Sequence, residues 1–346
     1  MRISSPVQMF NNVFVRKSFL EAQLIVTRRC NLSCGYCTEY DNHSQAIPFA
    51  VLRERTDALH RLGVVQIALL GGEPLLHKEI DKIVTHASRR SQTSITTNGF
   101  LLREDVIHRL NDAGLHHMQI SIDTLKPGAD LYIQKSLKTV QKKVELLLQF
   151  ARFSVHANIV LCSESKPEFR DIVAELKRMD IPVTVNLLHD SKGRTTIAGP
   201  PYADLWEHHH KRSKVLSFIE YEYGKELLTG RTPDWHCRAG ARHIYVDEFG
   251  NAQFCASQRG RLNKPILEYT RTDINEQRKT KKGCEKGCSV FCVYRASKVD
   301  NDLPAVAKAL LKSIRNKTVH VPLTSRNGSR RSVRIPLETA GESDHA

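Results

Sequence analysis

No apolar run in the 346 residues approaches the roughly 18 that a transmembrane helix needs, so no span is expected. Residues Met1 to Phe14 lack the basic-then-apolar pattern of a secretory leader, which makes the cytoplasm the expected location. Cysteine is scarce. Nine in the whole chain are too few for a small disulfide scaffold, and in a reducing compartment clustered cysteines read as metal ligands or catalytic thiols. No repeat of fixed period is present. Acidic residues are missing altogether between 303 and 337, where eight basic residues stand; residues 256–286 hold nine basic against four acidic ones. Those two stretches carry nearly all of the net charge of +15. A basic segment attracts nucleic acid, an anionic membrane surface or an anionic substrate. Residues 303–337 also lack Tyr, Trp and Phe for base stacking, and no known nucleic-acid module accompanies them, so nucleic acid is disfavoured. What remains is ordinary. Hydrophobic residues at 40% and charged ones at 26% fit a globular chain and exclude wholesale disorder.

From residue 23 onward, short β-branched runs alternate with amphipathic stretches. Strands are predicted at 23–27, 65–70, 93–97, 118–123, 155–161 and 183–188. Helices are predicted at 49–62, 78–88, 101–113, 139–150 and 168–179, two of them followed by the stop residues Gly63 and Gly114. Six strands with five intervening helices imply parallel pairing and right-handed crossovers, hence an α/β barrel or open sheet. The alternation stops after Leu188. Residues 190–201 read as a linker, 202–228 as one helix, 244–254 as a β-hairpin turning at Gly250-Asn251, and 303–314 as a last helix. The expected divisions are an N-terminal extension 1–19, a core barrel 20–190, a linker and helix 191–234, a cysteine-rich α+β module 235–300 and a basic tail 301–346.

The first strand is followed by Cys30-Asn31-Leu32-Ser33-Cys34-Gly35-Tyr36-Cys37. Three thiolates in so short a loop converge on one metal centre, one fewer than the four that close a structural zinc or iron–sulfur site. A zinc knuckle completed by His43 or a later cysteine is the alternative. Loops at the carboxyl ends of barrel strands are where such folds place chemistry. Five further cysteines, Cys237, Cys255, Cys284, Cys288 and Cys292, lie in the last third, the first two at the outer ends of the hairpin. Five thiols suit one iron–sulfur cluster with one spare, or a structural zinc. Cys162, just past the fifth strand, stands alone near the barrel mouth. His208-His209-His210 is expected on a surface helix, where consecutive side chains fan apart rather than converge.

Cys-x3-Cys-x2-Cys with Tyr36 before the last cysteine resembles the radical S-adenosylmethionine (SAM) superfamily. Gly71-Gly72-Glu73-Pro74 after the second strand, Thr97-Asn98-Gly99 after the third and Ser121-Ile122-Asp123 at the end of the fourth match in order. The resemblance covers about residues 22–190. It implies a partial (β/α)6 TIM-like barrel in which Cys30, Cys34 and Cys37 hold a 4Fe–4S cluster with one iron open to SAM. It further implies that Gly71, Gly72, Glu73 and Pro74 face the methionine ammonium, glycine permitting close approach of the main chain. Asn98, Ser121 and Asp123 would serve the methionine or ribose, and Tyr36 with residues 186–188 the adenine. A glycine motif that many relatives carry on the fifth strand is not evident here; Asn158 is the substitute considered. The last five cysteines resemble SPASM/twitch auxiliary-cluster domains, though a full SPASM domain has seven. One auxiliary 4Fe–4S cluster is therefore expected.

What this resemblance implies is an enzyme that reductively cleaves SAM and abstracts a hydrogen atom, served by an electron donor such as flavodoxin or ferredoxin. Cys162 is a candidate hydrogen donor to a substrate radical. Few residues precede the first strand, which favours a small, anionic metabolite over a ribosomal peptide as substrate. The rival from another class is a non-catalytic iron–sulfur or zinc protein that binds nucleic acid.

Overall fold

The computed structural model describes residues 11–128, 132–212 and 218–302. Six strands and the five helices between them build the first part: β1 (Glu21–Thr27), α1 (Phe49–Arg61), β2 (Gln66–Gly71), α2 (Ile80–Ala87), β3 (Gln92–Thr97), α3 (Glu104–Asp112), β4 (His117–Ser121), α4 (Leu137–Phe150), β5 (Ser154–Leu161), α5 (Phe169–Arg178) and β6 (Val183–Leu187). Neighbouring strands β1 to β6 pair parallel in sequence order, as expected of right-handed crossovers. The helices form because their apolar residues share one stripe. In α5, Phe169, Ile172, Val173 and Leu176 are buried, while Asp171 in its first turn and Lys177 and Arg178 in its last complement the helix dipole.

The later elements are α6 (Pro200–Arg212), α7 (Phe218–Leu228), β7 (His243–Val246), β8 (Asn251–Gln253), β9 (Lys264–Pro265), α8 (Arg271–Lys279) and α9 (Phe291–Asn301). Two helices stand where the sequence suggests one. The predicted hairpin forms between β7 and β8, but β7 also pairs parallel with β1, from Glu21–His243 to Leu24–Val246. One nine-stranded sheet results, ordered β6-β5-β4-β3-β2-β1-β7-β8-β9. It is open, not closed into a full barrel. The helix expected at 303–314 lies outside the described residues. No described helix is long and apolar enough to cross a membrane.

The two faces of the sheet differ in chemistry. Alternation sends Leu24, Leu69, Ile95, Ile120, Ile159 and Val185 to the helix side, where all are buried in one core. Their register neighbours on the other face are Gln23, Gln66, Ser94, Gln119, His156, Asn158 and Asn186. A barrel interior of this type is ordinarily packed with branched apolar side chains. Here amides and hydroxyls line much of that face. Gln66 donates to Ser94 Oγ (3.1 Å), and the Asn158 carboxamide oxygen accepts from Thr184 Oγ1 (3.0 Å) and Asn186 Nδ2 (2.9 Å).

Candidate functional site

Thr27 at the end of β1 delivers the chain into the loop bearing Cys30, Cys34 and Cys37. All three thiols are free; Cys34 is buried and the other two are partly exposed. Burial pushes the Cys30 and Cys34 thiols up, and neighbouring thiolates add to the rise. A centre that ionises all three must supply positive charge of its own, as a metal does.

The second loop is stitched to the first. Gly71 has φ +141°, and a Cβ on it would stand 1.9 Å from Thr27 O; one on Gly72 would stand 2.2 Å from Arg29 O. No side chain fits at either position. With both as glycine, Gly72 N–H donates to Thr27 O (2.9 Å) and Glu73 N–H to Arg29 O (2.8 Å). Pro74 opens the short turn Pro74–Leu76. Glu73 is wholly buried, and its carboxylate accepts from Leu75 N–H (3.0 Å), Thr97 Oγ1 (2.8 Å) and Asn98 N–H (2.8 Å). Burial raises its pKa, and those donors oppose the rise. A carboxylate offers about four acceptor positions, so about one is left for a ligand. Glu73 therefore acts chiefly as the tie between β2 and β3. Asn98 donates from Nδ2 to Asn31 Oδ1 (2.8 Å) and to Cys30 Sγ (3.7 Å).

Ser121 closes β4 on the polar face, opposite Asn158. Asp123 is fully buried: Oδ1 accepts from Val160 N–H (2.8 Å), and Oδ2 accepts from the Tyr36 hydroxyl with Lys135 Nζ at 3.5 Å. Both oxygens are thus engaged by the chain itself, so Asp123 orients Tyr36 and Lys135. Lys135 also lies 4.9 Å over the Tyr36 ring, and its charge opposes the rise in the Cys34 pKa.

Four neighbours of this site carry no local signal in the sequence. Lys135 is one. Gly35 and Tyr132 are a second pair: a Cβ on Gly35 would meet the Tyr132 ring at 2.3 Å, and Gly35 N–H donates to Tyr132 O (3.0 Å). Glu39 is the last, bridging Arg28 (3.0 Å) and the Tyr245 hydroxyl (2.7 Å), with Arg259 also on its carboxylate. Each contact spans a long sequence separation or joins two distant segments, which spacing alone cannot reveal.

The second thiol group divides. Cys237, Cys255, Cys284 and Cys288 line one pocket with Trp235, Phe254, Lys282 and Glu285. Burial pushes Cys237 up to about 12 and Cys288 to about 11, with mutual repulsion adding to both. Cys292 does not line that pocket. It packs against the Cys237 and Cys255 cluster, with its Sγ 3.6 Å from Gln23 Nε2 and close to Glu21 and His243. A roomier hollow of about 440 Å³ at the other ends of the strands is lined by Arg16, His60, Arg61 and Arg90 and holds no cysteine.

Residues 24–189 match the family profile described as Radical SAM superfamily. A Methanocaldococcus jannaschii protein named probable GTP 3',8-cyclase is 31% identical over 253 residues, which is 67% of this chain and 78% of that protein. The chain belongs to the radical SAM superfamily. A Peptoclostridium acidaminophilum GTP 3',8-cyclase is 34% identical over 163 residues, 44% of this chain and 50% of that one. This chain spans about half the length of such curated relatives. The crystal structure of Streptococcus suis SuiB bound to its precursor peptide SuiA shares the fold with TM-score 0.60 at 16% identity, over 82% of this chain and 74% of that one.

A radical SAM protein carries a 4Fe–4S cluster and binds SAM, and the residues present fit both. The three loop thiols are unpaired, mutually repelling and partly open, with Lys135 to offset negative charge. The four pocket thiols are likewise unpaired, face one hollow and have no disulfide partner. Cys292 is the one of the five that lies outside the pocket lining. One expectation is corrected. Cys162 is wholly buried with its Sγ 3.4 Å from Ser165 Oγ, so it presents no accessible hydrogen to a substrate. The histidine run also departs from a surface helix: His209 and His210 are buried, packed against Phe169 and Trp206. Their rings stand edge to face, 5.0 Å apart.

Proposed function

We propose that this radical SAM enzyme abstracts a hydrogen atom from a small, polar metabolite held against the polar face of the sheet. When bound and reduced, the open-iron cluster and SAM supply the carbon-centred radical. The chain's own residues do the rest. Cys30, Cys34 and Cys37 hold the cluster, and Asn98 donates to the Cys30 sulfur. Gly71 and Gly72 keep the methionine-side loop tight against the cysteine loop, with Glu73 locking it to β3. Tyr36, fixed by Asp123, and residues 186–188 flank the adenine, while Ser121 faces the ribose side. Cys237, Cys255, Cys284 and Cys288 hold one auxiliary cluster, an electron relay or acceptor that gives a net oxidation a place to put its electrons.

The observation that carries the substrate class is the inverted chemistry of the inner face. Gln66, Gln119, Asn158 and Asn186 offer both donors and acceptors. Most already pair with one another, and each keeps a further donor or acceptor that a polar substrate can meet and an apolar one would leave bare. Relatives named GTP 3',8-cyclase agree with a polar metabolite. The test is anaerobic incubation of the reconstituted protein with SAM and dithionite, then with pools of nucleotides, sugars and amino acids, GTP among them. Formation of 5′-deoxyadenosine that rises with one polar pool supports the reading. Stimulation only by a peptide library would replace it with a peptide substrate.

A further inference from the structure

At the opposite end of β1 from the cysteine loop lies a cluster that the radical chemistry does not use. Glu21 opens β1 and pairs in register with His243, which opens β7. Cys292, from the first turn of α9, completes the group. Their ligand atoms all lie within 4.8 Å of one another.

His243 is the decisive member. It is fully buried, and neither ring nitrogen has a hydrogen-bond partner. Glu21 Oε1 stands 3.7 Å from Nδ1, too far for a hydrogen bond and leaving a gap that an ion would fill. Buried polar atoms of this kind are nearly always satisfied; His209 is orphaned too, but only His243 has a carboxylate and a thiol within ligand reach, which points to an absent partner. Burial favours the neutral imidazole, the form that ligates metals, with Glu21 opposing and Arg295 adding to it. Arg295 pairs with Glu220 (2.8 Å), and its positive charge also acts on Glu21 and Cys292, favouring the thiolate form that a metal needs.

We propose that Glu21, His243 and Cys292 form a zinc site that staples β1, β7 and α9 together. One nitrogen, one sulfur and one oxygen suit this borderline-soft ion, and bonds of about 2.0–2.3 Å set tetrahedral ligand atoms about 3.5 Å apart, a small rotamer adjustment from here. Gln23 Nε2 already lies 3.1 Å from Glu21 Oε1 and 3.6 Å from Cys292 Sγ. Turned over, its carboxamide presents an oxygen as fourth ligand; a water is the other choice. Binding releases the Cys292 thiol proton to solvent, and no redox step is involved. Glu21 and Cys292 keep some exposure, which gives the ion a path in. The site rests on the reading above only in leaving Cys292 out of the auxiliary cluster; it lies about 20 Å along β1 from the cysteine loop, at roughly 3.3 Å per residue.

The test uses the full chain, reconstituted anaerobically with iron and sulfide and then titrated with zinc. Metal analysis should find one zinc per chain beyond the iron. Zinc-edge X-ray absorption should show a single sulfur among nitrogen and oxygen neighbours. Glu21→Gln and His243→Ala should each weaken zinc retention about tenfold or more while iron stays constant. Because His243→Ala could disturb folding, the absorption spectrum of the unaltered chain decides independently. Failure to retain zinc would overturn the proposal. So would a shell of four sulfurs, which would put the zinc in the Cys237 pocket. Loss of about four irons in Cys292→Ser would also overturn it, since that thiol would then serve the auxiliary cluster.

Discussion

The two thiol centres are built on opposite principles. The loop after β1 offers three thiols, two of them partly exposed, hung on tight backbone contacts from Gly72 and Glu73 and faced by the cation Lys135. The pocket of Cys237, Cys255, Cys284 and Cys288 offers four, most of them buried and walled by Trp235 and Phe254. Three thiols with access leave a coordination position for a reactant; four in a closed pocket fill the metal's needs and shield it. Ligand count and exposure together separate a centre that does chemistry from one that stores or relays electrons.

The sharpest way to break this contrast is Cys34→Ala. It should bring 5′-deoxyadenosine formation to background and remove about four irons, with circular dichroism unchanged. Reductive cleavage surviving in that variant would deny the loop its role. Replacing Cys237 and Cys255 together should also remove about four irons but leave SAM cleavage partly intact. If cleavage vanished too, the two centres would not be separable.

Burial separates them in a third way. In the metal-free chain Cys237 and Cys288 keep their protons up to about 12 and about 11, against an ordinary value of 9.0. From about pH 9 upward the unfolded chain has therefore released protons that the folded one retains, and stability falls as pH rises. Thermal melts of chelator-treated protein should show Tm dropping between about pH 9 and 11, while the iron-loaded protein holds. A flat apo profile would mean the pocket opens without metal.

Lys135→Met should act on the loop centre alone. Leaving Asp123 buried without its cation should cost about 3 kcal/mol in urea unfolding and shift the loop cluster's midpoint potential more negative. A shift in the auxiliary cluster instead would misplace the lysine. The smallest effect is expected from removing residues 318–346 with their four arginines. Both iron counts and SAM cleavage should stay as they were, and a raised KM for an anionic substrate is the only change foreseen. Salt-sensitive RNA binding lost on truncation would give the tail a different purpose.

Much of this was legible from local pattern. Alternating β-branched runs and amphipathic stretches located six strands and five helices, because a period of two or of 3.6 is written into neighbouring residues. Cys30, Cys34 and Cys37 lie so near one another that no fold was needed to bring them together, and Gly71 and Gly72 stand where only glycine lets two backbones touch. Tertiary structure decided what separation hides. That β7 joins β1, that Cys292 lies against its companions yet beside Glu21 and His243, and that Lys135 reaches Asp123 beneath Tyr36 all depend on segments meeting in space. The polar inner face belongs to both levels. Each glutamine and asparagine was visible in its strand, yet only parallel register across six strands showed that they share one surface.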